Sequence, residues 1–202
     1  MKILSSILCS LAFLATANTC QASFITNVSQ VGSNVVATGS GSLNLAGLTK
    51  YIGSTGGNGI INSNQNIIVL GSPPFVSIDL YEGSLAGPSS FGSVDSYLNS
   101  SSGSTNIIGI VRLEAIQVPF GYVFGTSITG DATWNNQTFS SLGLNVGTYT
   151  WTWGSGGNAD SFVLNIVSSS VPEPGTLSLC LVAALAHFGV RKWKQKNSDQ
   201  FS

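Results

Sequence analysis

Cysteine and histidine are missing from the whole middle of this 202-residue sequence. The three cysteines and the single histidine lie towards the two ends, at Cys9, Cys20, Cys180 and His187. A disulfide framework and a zinc site with thiolate ligands are therefore excluded for the middle segment. Nucleophilic catalysis that relies on a histidine base is excluded there for the same reason.

Charge is also scarce, because charged residues make up 7% of the chain, against roughly 25% in ordinary globular domains. Between residues 23 and 171 only Lys50 and Arg112 are basic, whereas six residues are acidic, which gives this stretch a net charge of −4. The acidic residues are Asp79, Glu82, Asp95, Glu114, Asp131 and Asp160. Binding to nucleic acid requires many cations on the folded domain, so we do not expect a nucleic acid as a partner.

Residues 1–22 have the pattern of a secretory signal peptide. Lys2 provides the positive start, and residues 3–17 are mostly apolar. Cys20 and Ala22 then place small residues at the two positions that signal peptidase inspects. The sequence therefore predicts export and cleavage after Ala22.

The C-terminal segment combines an extended motif, an apolar run and a basic end. Val171, Pro172, Glu173 and Pro174 form the motif, and its two prolines disfavour helix. Residues 177–190 carry no formal charge and would form a helix of roughly 21 Å, which we expect to be a single transmembrane helix extended by flanking residues. A buried core helix is the alternative, but the run lacks a polar face. Arg191 and Lys192 predict a cytoplasmic C-terminal end.

This order of motif, helix and basic pair, over residues 171–196, resembles the PEP-CTERM sorting signal of Gram-negative bacteria. The resemblance implies that exosortase recognises the chain at the inner membrane, cuts it near Pro172–Pro174 and passes it to the cell surface or medium. Many proteins with this signal occur in species that make extracellular polysaccharide, which is therefore a candidate partner. The signal identifies a sorting substrate and carries no information about the chemistry of the middle domain.

Residues 23–170 read as short strands separated by glycine- and serine-rich turns, with no helical periodicity. We predict an all-β domain, an antiparallel β-sandwich of jelly-roll-like type. The predicted strands are Phe24–Val31, Asn34–Leu48, Asn66–Leu70, Phe75–Tyr81, Ile107–Gln117, Tyr122–Ile128, Ala132–Phe139, Gly147–Trp153 and Ser161–Val167, with loops that include Gly53–Gly59 and Asn99–Thr105.

The segment from Gly147 to Trp153 shows the strand period most clearly, because its aromatic residues and threonines alternate. With Gly154-Ser155-Gly156 and the later Asp160-Ser161-Phe162, it resembles the last strands of a recurrent cargo domain of PEP-CTERM proteins. That resemblance implies one domain over most of the middle segment and no particular activity.

The aromatic residues also allow two interpretations. They could fill the core of the domain, or they could form a flat platform that contacts sugar rings. The candidate sugar-contact residues are Trp134, Tyr149, Trp151 and Trp153.

Enzymatic activity is not predicted. Lys50 is the only lysine in the middle segment and has no catalytic motif around it. Asp79, Glu82 and Glu114 are the carboxylates that a glycoside hydrolase could use, with solvated turn residues as the alternative. A cofactor is not expected. Calcium needs only oxygen ligands, and its weak candidates are Asp131, Asn158 and Asp160.

Taken together, the sequence predicts an exported protein with a non-enzymatic, structural or adhesive domain in the cell envelope or its polysaccharide matrix. Two alternatives remain open, a lectin-like carbohydrate-binding module and a carbohydrate-active enzyme.

Overall fold

The structure, a computed structural model, describes residues 23–72 and 76–168 of the chain. These ranges contain thirteen β-strands, a 3₁₀ turn at Gly156–Asn158 and no α-helix, so the prediction of an all-β fold is confirmed for them. The strands are β1 (Ser23–Val31), β2 (Asn34–Gly41), β3 (Thr49–Gly57), β4 (Ile60–Asn62), β5 (Ile67–Leu70), β6 (Val76–Glu82), β7 (Leu98–Asn99), β8 (Ser102–Gly103), β9 (Ile108–Val111), β10 (Ala115–Pro119), β11 (Ile128–Trp134), β12 (Gly147–Trp153) and β13 (Asp160–Val167).

The predicted signal peptide and the predicted PEP-CTERM segment, including the run 177–190, lie outside the described residues. Within the ranges that the structure covers, no helix is long and apolar enough to span a membrane.

The strands form two sheets. One has six strands in the order β12-β13-β1-β2-β11-β8, and the other has seven in the order β3-β6-β10-β9-β5-β4-β7. Neighbouring strands are antiparallel with one exception, the parallel pair of β1 and β13. This ladder runs from Ser23 opposite Ser161 to Ser29 opposite Val167, so it joins the first and last strands of the described chain.

The two sheets share one hydrophobic core. Strands of the six-stranded sheet alternate between buried and exposed side chains, as a half-buried strand requires. Phe24 stacks on Phe162 with ring centroids 5.6 Å apart, and Trp151 lies 6.2 Å from Phe162. From the facing sheet, Ile68 and Ile110 belong to the same buried cluster.

The seven-stranded sheet is apolar on both of its faces. Along β5, Ile68 and Leu70 belong to the shared core, whereas Ile67 and Val69 belong to a second buried cluster with Ile78 and others. All four residues of β5 are buried. This explains why β5 has no polar alternation in its sequence.

Two predicted strands are wrong because the chain turns inside them. Ile107–Gln117 is a hairpin of β9 and β10, since Arg112 adopts a left-handed backbone conformation with φ of 59°. Tyr122–Ile128 is largely a loop, with Gly121 just before it and Gly125 within it at φ of 77° and 76°.

Two further predicted strands are too long. Ala132–Phe139 runs past the end of β11 at Trp134 into a turn in which Asn136 has φ of 55°, and Asn34–Leu48 runs past the end of β2 at Gly41. Conversely, the predicted Gly53–Gly59 loop lies mostly within β3, and the predicted Asn99–Thr105 loop contains β8.

We predict that Trp151→Ala lowers the free energy of unfolding by about 3–5 kcal/mol, because it removes a fully buried indole from the shared core. Thr150→Ala is the matched control, since Thr150 is exposed on the same strand, and its effect should stay within about 0.5 kcal/mol. Denaturant unfolding of the two variants measures the difference. Equal effects of the two substitutions would contradict the assigned faces of β12.

Candidate ligand-binding groove

A groove of about 700 Å³ lies on the face of the seven-stranded sheet that is turned away from the shared core. Its floor is a row of directly paired residues, Ile67, Val111, Ala115 and then Glu82, on four adjacent strands. Residues paired across neighbouring strands point to the same face, so this row forms a continuous surface. Leu80, two residues before Glu82 on β6, lies on the same face and also lines the groove.

The walls come from three connecting segments. Arg112, Leu113 and Glu114 join β9 to β10, Gly83 and Ser84 follow β6, and Tyr97 precedes β7. Two backbone hydrogen bonds hold the first two walls together. The Gly83 amide donates to the Glu114 carbonyl at 2.8 Å, and the Leu85 amide donates to the Leu113 carbonyl at 3.1 Å.

A hydrogen-bond network holds the Tyr97 and Arg112 side chains at the edge of the groove. Arg112 Nη2 donates to the Tyr97 hydroxyl and to Gln65 Oε1, both at 3.0 Å, and the Tyr97 hydroxyl donates to the same Gln65 oxygen. Gln65 Nε2 donates to Asp95 Oδ1 at 2.7 Å, and Asn62 Nδ2 donates to it at 2.9 Å. The aromatic ring and the guanidinium group are therefore positioned before any ligand binds.

The backbone beside this network is in an uncommon conformation at two positions. Arg112 and Asn66 have φ of 59° and 58°, and the Arg112 amide donates to the Asn66 carbonyl at 2.9 Å. The Asn66 side chain is buried, and its amide group has no hydrogen-bond partner among the residues that the structure describes. A strained backbone and an unpaired buried amide both cost free energy, and strained residues cluster at functional sites. The conformations of Arg112 and Asn66 therefore support the groove as a candidate site.

The charge around the groove is negative. Glu82 and Glu114 line it, Asp95 belongs to the network, and Arg112 is the one basic residue among these groups. The hydrogen bond that Arg112 donates to the Tyr97 hydroxyl raises the pKa of Arg112, and the nearby acidic residues raise it further, so the guanidinium group stays charged. A neutral or cationic ligand fits this balance better than an anionic one.

The three carboxylates considered for hydrolysis are divided between two environments. Glu82 and Glu114 line the groove, as the enzyme interpretation requires for a pair. Asp79 is on β6 but faces the other way, is 3% exposed, and pairs with Lys50 at 2.7 Å. Strand alternation separates Asp79 from Glu82, so Asp79 is not part of this site.

The four aromatic residues predicted as a sugar platform do not form one. Trp134, Trp151 and Trp153 are buried, and their indole N–H groups donate to the carbonyls of Leu98, Pro88 and Asn44. Tyr149 is half-buried and stacks on Trp151. The structure therefore places the three tryptophans in the core and Tyr149 against it, where they bury a large aromatic surface.

The candidate calcium ligands are not brought together either. Two strands separate β11, which carries Asp131, from β13, which carries Asp160, a distance of about 14 Å across the sheet. The Asp160 carboxylate is fully buried and accepts hydrogen bonds from the amides of Asn44 and Ser161, whereas Asn158 is exposed. In the described ranges, no group of three or more acidic, cysteine or histidine side chains could hold a metal ion.

Sequence reasoning missed Tyr97, Gln65 and Asp95, which meet only through folding. Tyr97 and Gln65 are 32 positions apart in the sequence, and Gln65 and Arg112 are 47 apart. One signal was available, since Arg112 is the only arginine between residues 23 and 171.

Comparison of the chain with protein-family models, curated proteins and solved structures finds no significant match.

We predict that Asp160 makes stability depend on pH. Burial raises the pKa of Asp160, more than its two backbone hydrogen bonds lower it, so the folded chain keeps this proton to a higher pH than the unfolded chain. This contribution to stability is complete below about pH 4 and is lost as the pH rises through the raised pKa. We expect the free energy of unfolding to fall between about pH 3 and pH 7 in the wild type but not in Asp160→Asn. A parallel pH dependence of the two proteins would refute it.

Proposed function

We propose that this protein is an exported, non-enzymatic module of the cell envelope or extracellular matrix that binds polysaccharide in the groove. In this proposal signal peptidase removes residues 1–22, and exosortase processes the chain near Pro172–Pro174 at the inner membrane. The described residues form the working domain, which we take to be a β-sandwich of jelly-roll-like type on the outer side of that membrane.

The binding proposal rests on one observation. Hydrogen bonds hold the side chains of Tyr97 and Arg112 in place beside the largely apolar floor of the groove. The Tyr97 side chain is 51% exposed although its hydroxyl group is held by two hydrogen-bond partners. An exposed aromatic ring can pack against the apolar face of a sugar, and the planar groups of Arg112, Glu82 and Glu114 can bond its hydroxyl groups. A mostly apolar surface with a few fixed polar groups is typical of ligand sites.

The acidic residues around the groove favour a neutral polysaccharide over an acidic one. Uronic acids and other anionic sugars would place a carboxylate close to Glu82, Glu114 and Asp95, where like charges repel. A neutral polysaccharide avoids this cost and supplies many hydroxyl donors for the carboxylates. We therefore expect a neutral polymer as the ligand.

Affinity electrophoresis of the chain in gels that contain a soluble polysaccharide tests this proposal. Hydroxyethyl cellulose, dextran and galactomannan serve as neutral polymers, and alginate serves as the acidic one. We expect at least one neutral polymer to retard the wild type, and we expect Tyr97→Ala to weaken that interaction by about tenfold.

Val146→Ala is the control, because Val146 is a 58% exposed apolar side chain just before β12 and does not line the groove. It should bind like the wild type. If Tyr97→Ala and Val146→Ala behave alike, or if alginate alone retards the chain, the proposed groove function is wrong.

A carbohydrate-active enzyme is the second candidate, and the shared location of Glu82 and Glu114 in one groove favours it. The same experiment separates the two, since an enzyme would release reducing ends from the retained polymer. Loss of that release in Glu82→Gln and Glu114→Gln, with polymer still bound, would support hydrolysis in place of simple binding.

The sorting part of the proposal predicts two new chain ends. Mass spectrometry of the native protein from separate cell fractions should place the N-terminus at Ser23 and the C-terminus near residues 172–176, outside the inner membrane. Replacing Pro172, Glu173 and Pro174 by alanine should leave the longer chain in the inner membrane. A mature protein that keeps residues 177–190 would instead be a membrane-tethered periplasmic domain.

A further inference from the structure

The two most exposed large apolar side chains of the described chain lie close together in the loop from β10 to β11, and a third exposed one follows them. Phe120, Val123 and Phe124 are 73%, 65% and 41% exposed. A cluster of exposed apolar residues on one loop indicates an interaction site more often than a scatter of single ones does. None of these residues lines the groove, so the loop is a separate surface.

A buried carboxylate holds the beginning of this loop in place. Asp79 Oδ2 accepts hydrogen bonds from Lys50 Nζ at 2.7 Å and from the Gly121 amide at 2.9 Å. Gly121 has φ of 77°, a conformation that glycine adopts without steric cost. Lys50 Nζ also lies 5.9 Å from the centroid of the Phe120 ring, within the range of a cation–π contact.

Tyr122 and Phe124 hold the middle of the loop. The Tyr122 hydroxyl accepts from the Leu43 amide at 2.8 Å and donates to the Thr126 carbonyl at 2.7 Å. The Phe124 ring packs edge-on against Tyr81 at 5.5 Å. The loop therefore presents its apolar side chains in a fixed arrangement, which reduces the entropy that binding would cost.

Beside Phe120 lies a cleft of about 450 Å³, and none of the described residues that line it is charged. Its polar groups are uncharged, and two of them, the hydroxyls of Ser127 and Thr129, are exposed and have no hydrogen-bond partner in the described part of the chain. An exposed aromatic ring next to free hydroxyl groups suits a sugar unit, which has an apolar ring face and hydroxyls at its edge. The cation nearest to Phe120, Lys50, is already paired with Asp79, so an anionic polymer would find no unpaired opposite charge among the described residues here.

We propose that the β10–β11 loop is a second carbohydrate-contact site, for uncharged sugar units, with Phe120 as its stacking residue. This inference rests on the proposed function of the groove and extends it, because two separate sites allow one chain to bridge two polysaccharide segments. Strand β10 separates the sites, with Ala115 in the groove and Pro119 at the cleft, about 13 Å along the strand. Binding at both sites then raises the overall affinity through effective concentration.

The test uses the full chain in the same affinity gels, with the neutral polymers named above. Phe120→Ser should weaken retardation at least about fivefold in the polymer that retards the wild type. Val123→Ser, at the same cleft, should weaken it in the same direction, and Val146→Ala, which lines neither site, should leave it unchanged. Circular dichroism of the buried tryptophans establishes that each variant is folded.

A second readout distinguishes bridging from simple binding. Wild-type chain should precipitate the polymer or raise its viscosity, whereas Phe120→Ser and Tyr97→Ala should each still bind without doing so. If Phe120→Ser and Val123→Ser match Val146→Ala while Tyr97→Ala fails to bind, the loop proposal is wrong and the groove function stands. If Tyr97→Ala also matches the control, both fail. If the wild type is a dimer in the absence of polymer and Phe120→Ser is a monomer, the loop contacts a second copy of the chain. That result would overturn the proposal.

Discussion

Strand β1 hydrogen-bonds to β13 on one side and to β2 on the other, so it attaches β12 and β13 to the rest of the six-stranded sheet. Through this attachment β12, which pairs with β13, brings Trp151 and Trp153 into the core. Contacts of this kind join residues that are far apart in the sequence, which slows folding. The shared core depends on this closure, because Phe24 of β1 and Phe162 of β13 both belong to it.

The seven-stranded sheet forms the groove because it is apolar on two faces, and its strand β10 leads into the loop of the second site. One face completes the core, and the other provides the floor of the groove through Ile67, Val111 and Ala115. Polar residues reach this sheet at its connections, where Arg112 and Tyr97 meet at the groove and Asp79 meets Lys50 near the loop. Arg112, Asp79 and Lys50 therefore hold the local geometry of these connections. Most of the residues that line the groove and the cleft are uncharged.

Sequence periodicity predicted the all-β fold and the bounds of β12, because alternating aromatics and threonines leave one choice of face. It failed at Arg112, since a left-handed arginine is set by its hydrogen bonds to Asn66, Gln65 and Tyr97 and not by local preference. It also could not decide whether the tryptophans were core or platform, which depends on what packs over them. Among the groove residues, the sequence singled out only Glu82 and Glu114, as carboxylates that a glycoside hydrolase could use. The other groove residues come together only when the strands pair in the folded domain.

The parallel ladder also determines how the domain would carry a load. Ser23 begins β1 at one end of this ladder, and Val167 ends β13 at the other, about 20 Å away along the strands. A pull between these two residues acts along the ladder, so its hydrogen bonds resist together in shear and do not open one after another. Antiparallel terminal strands, with both chain ends at the same side, would instead unzip. For a domain loaded between Ser23 and Val167, this geometry gives mechanical resistance without a disulfide.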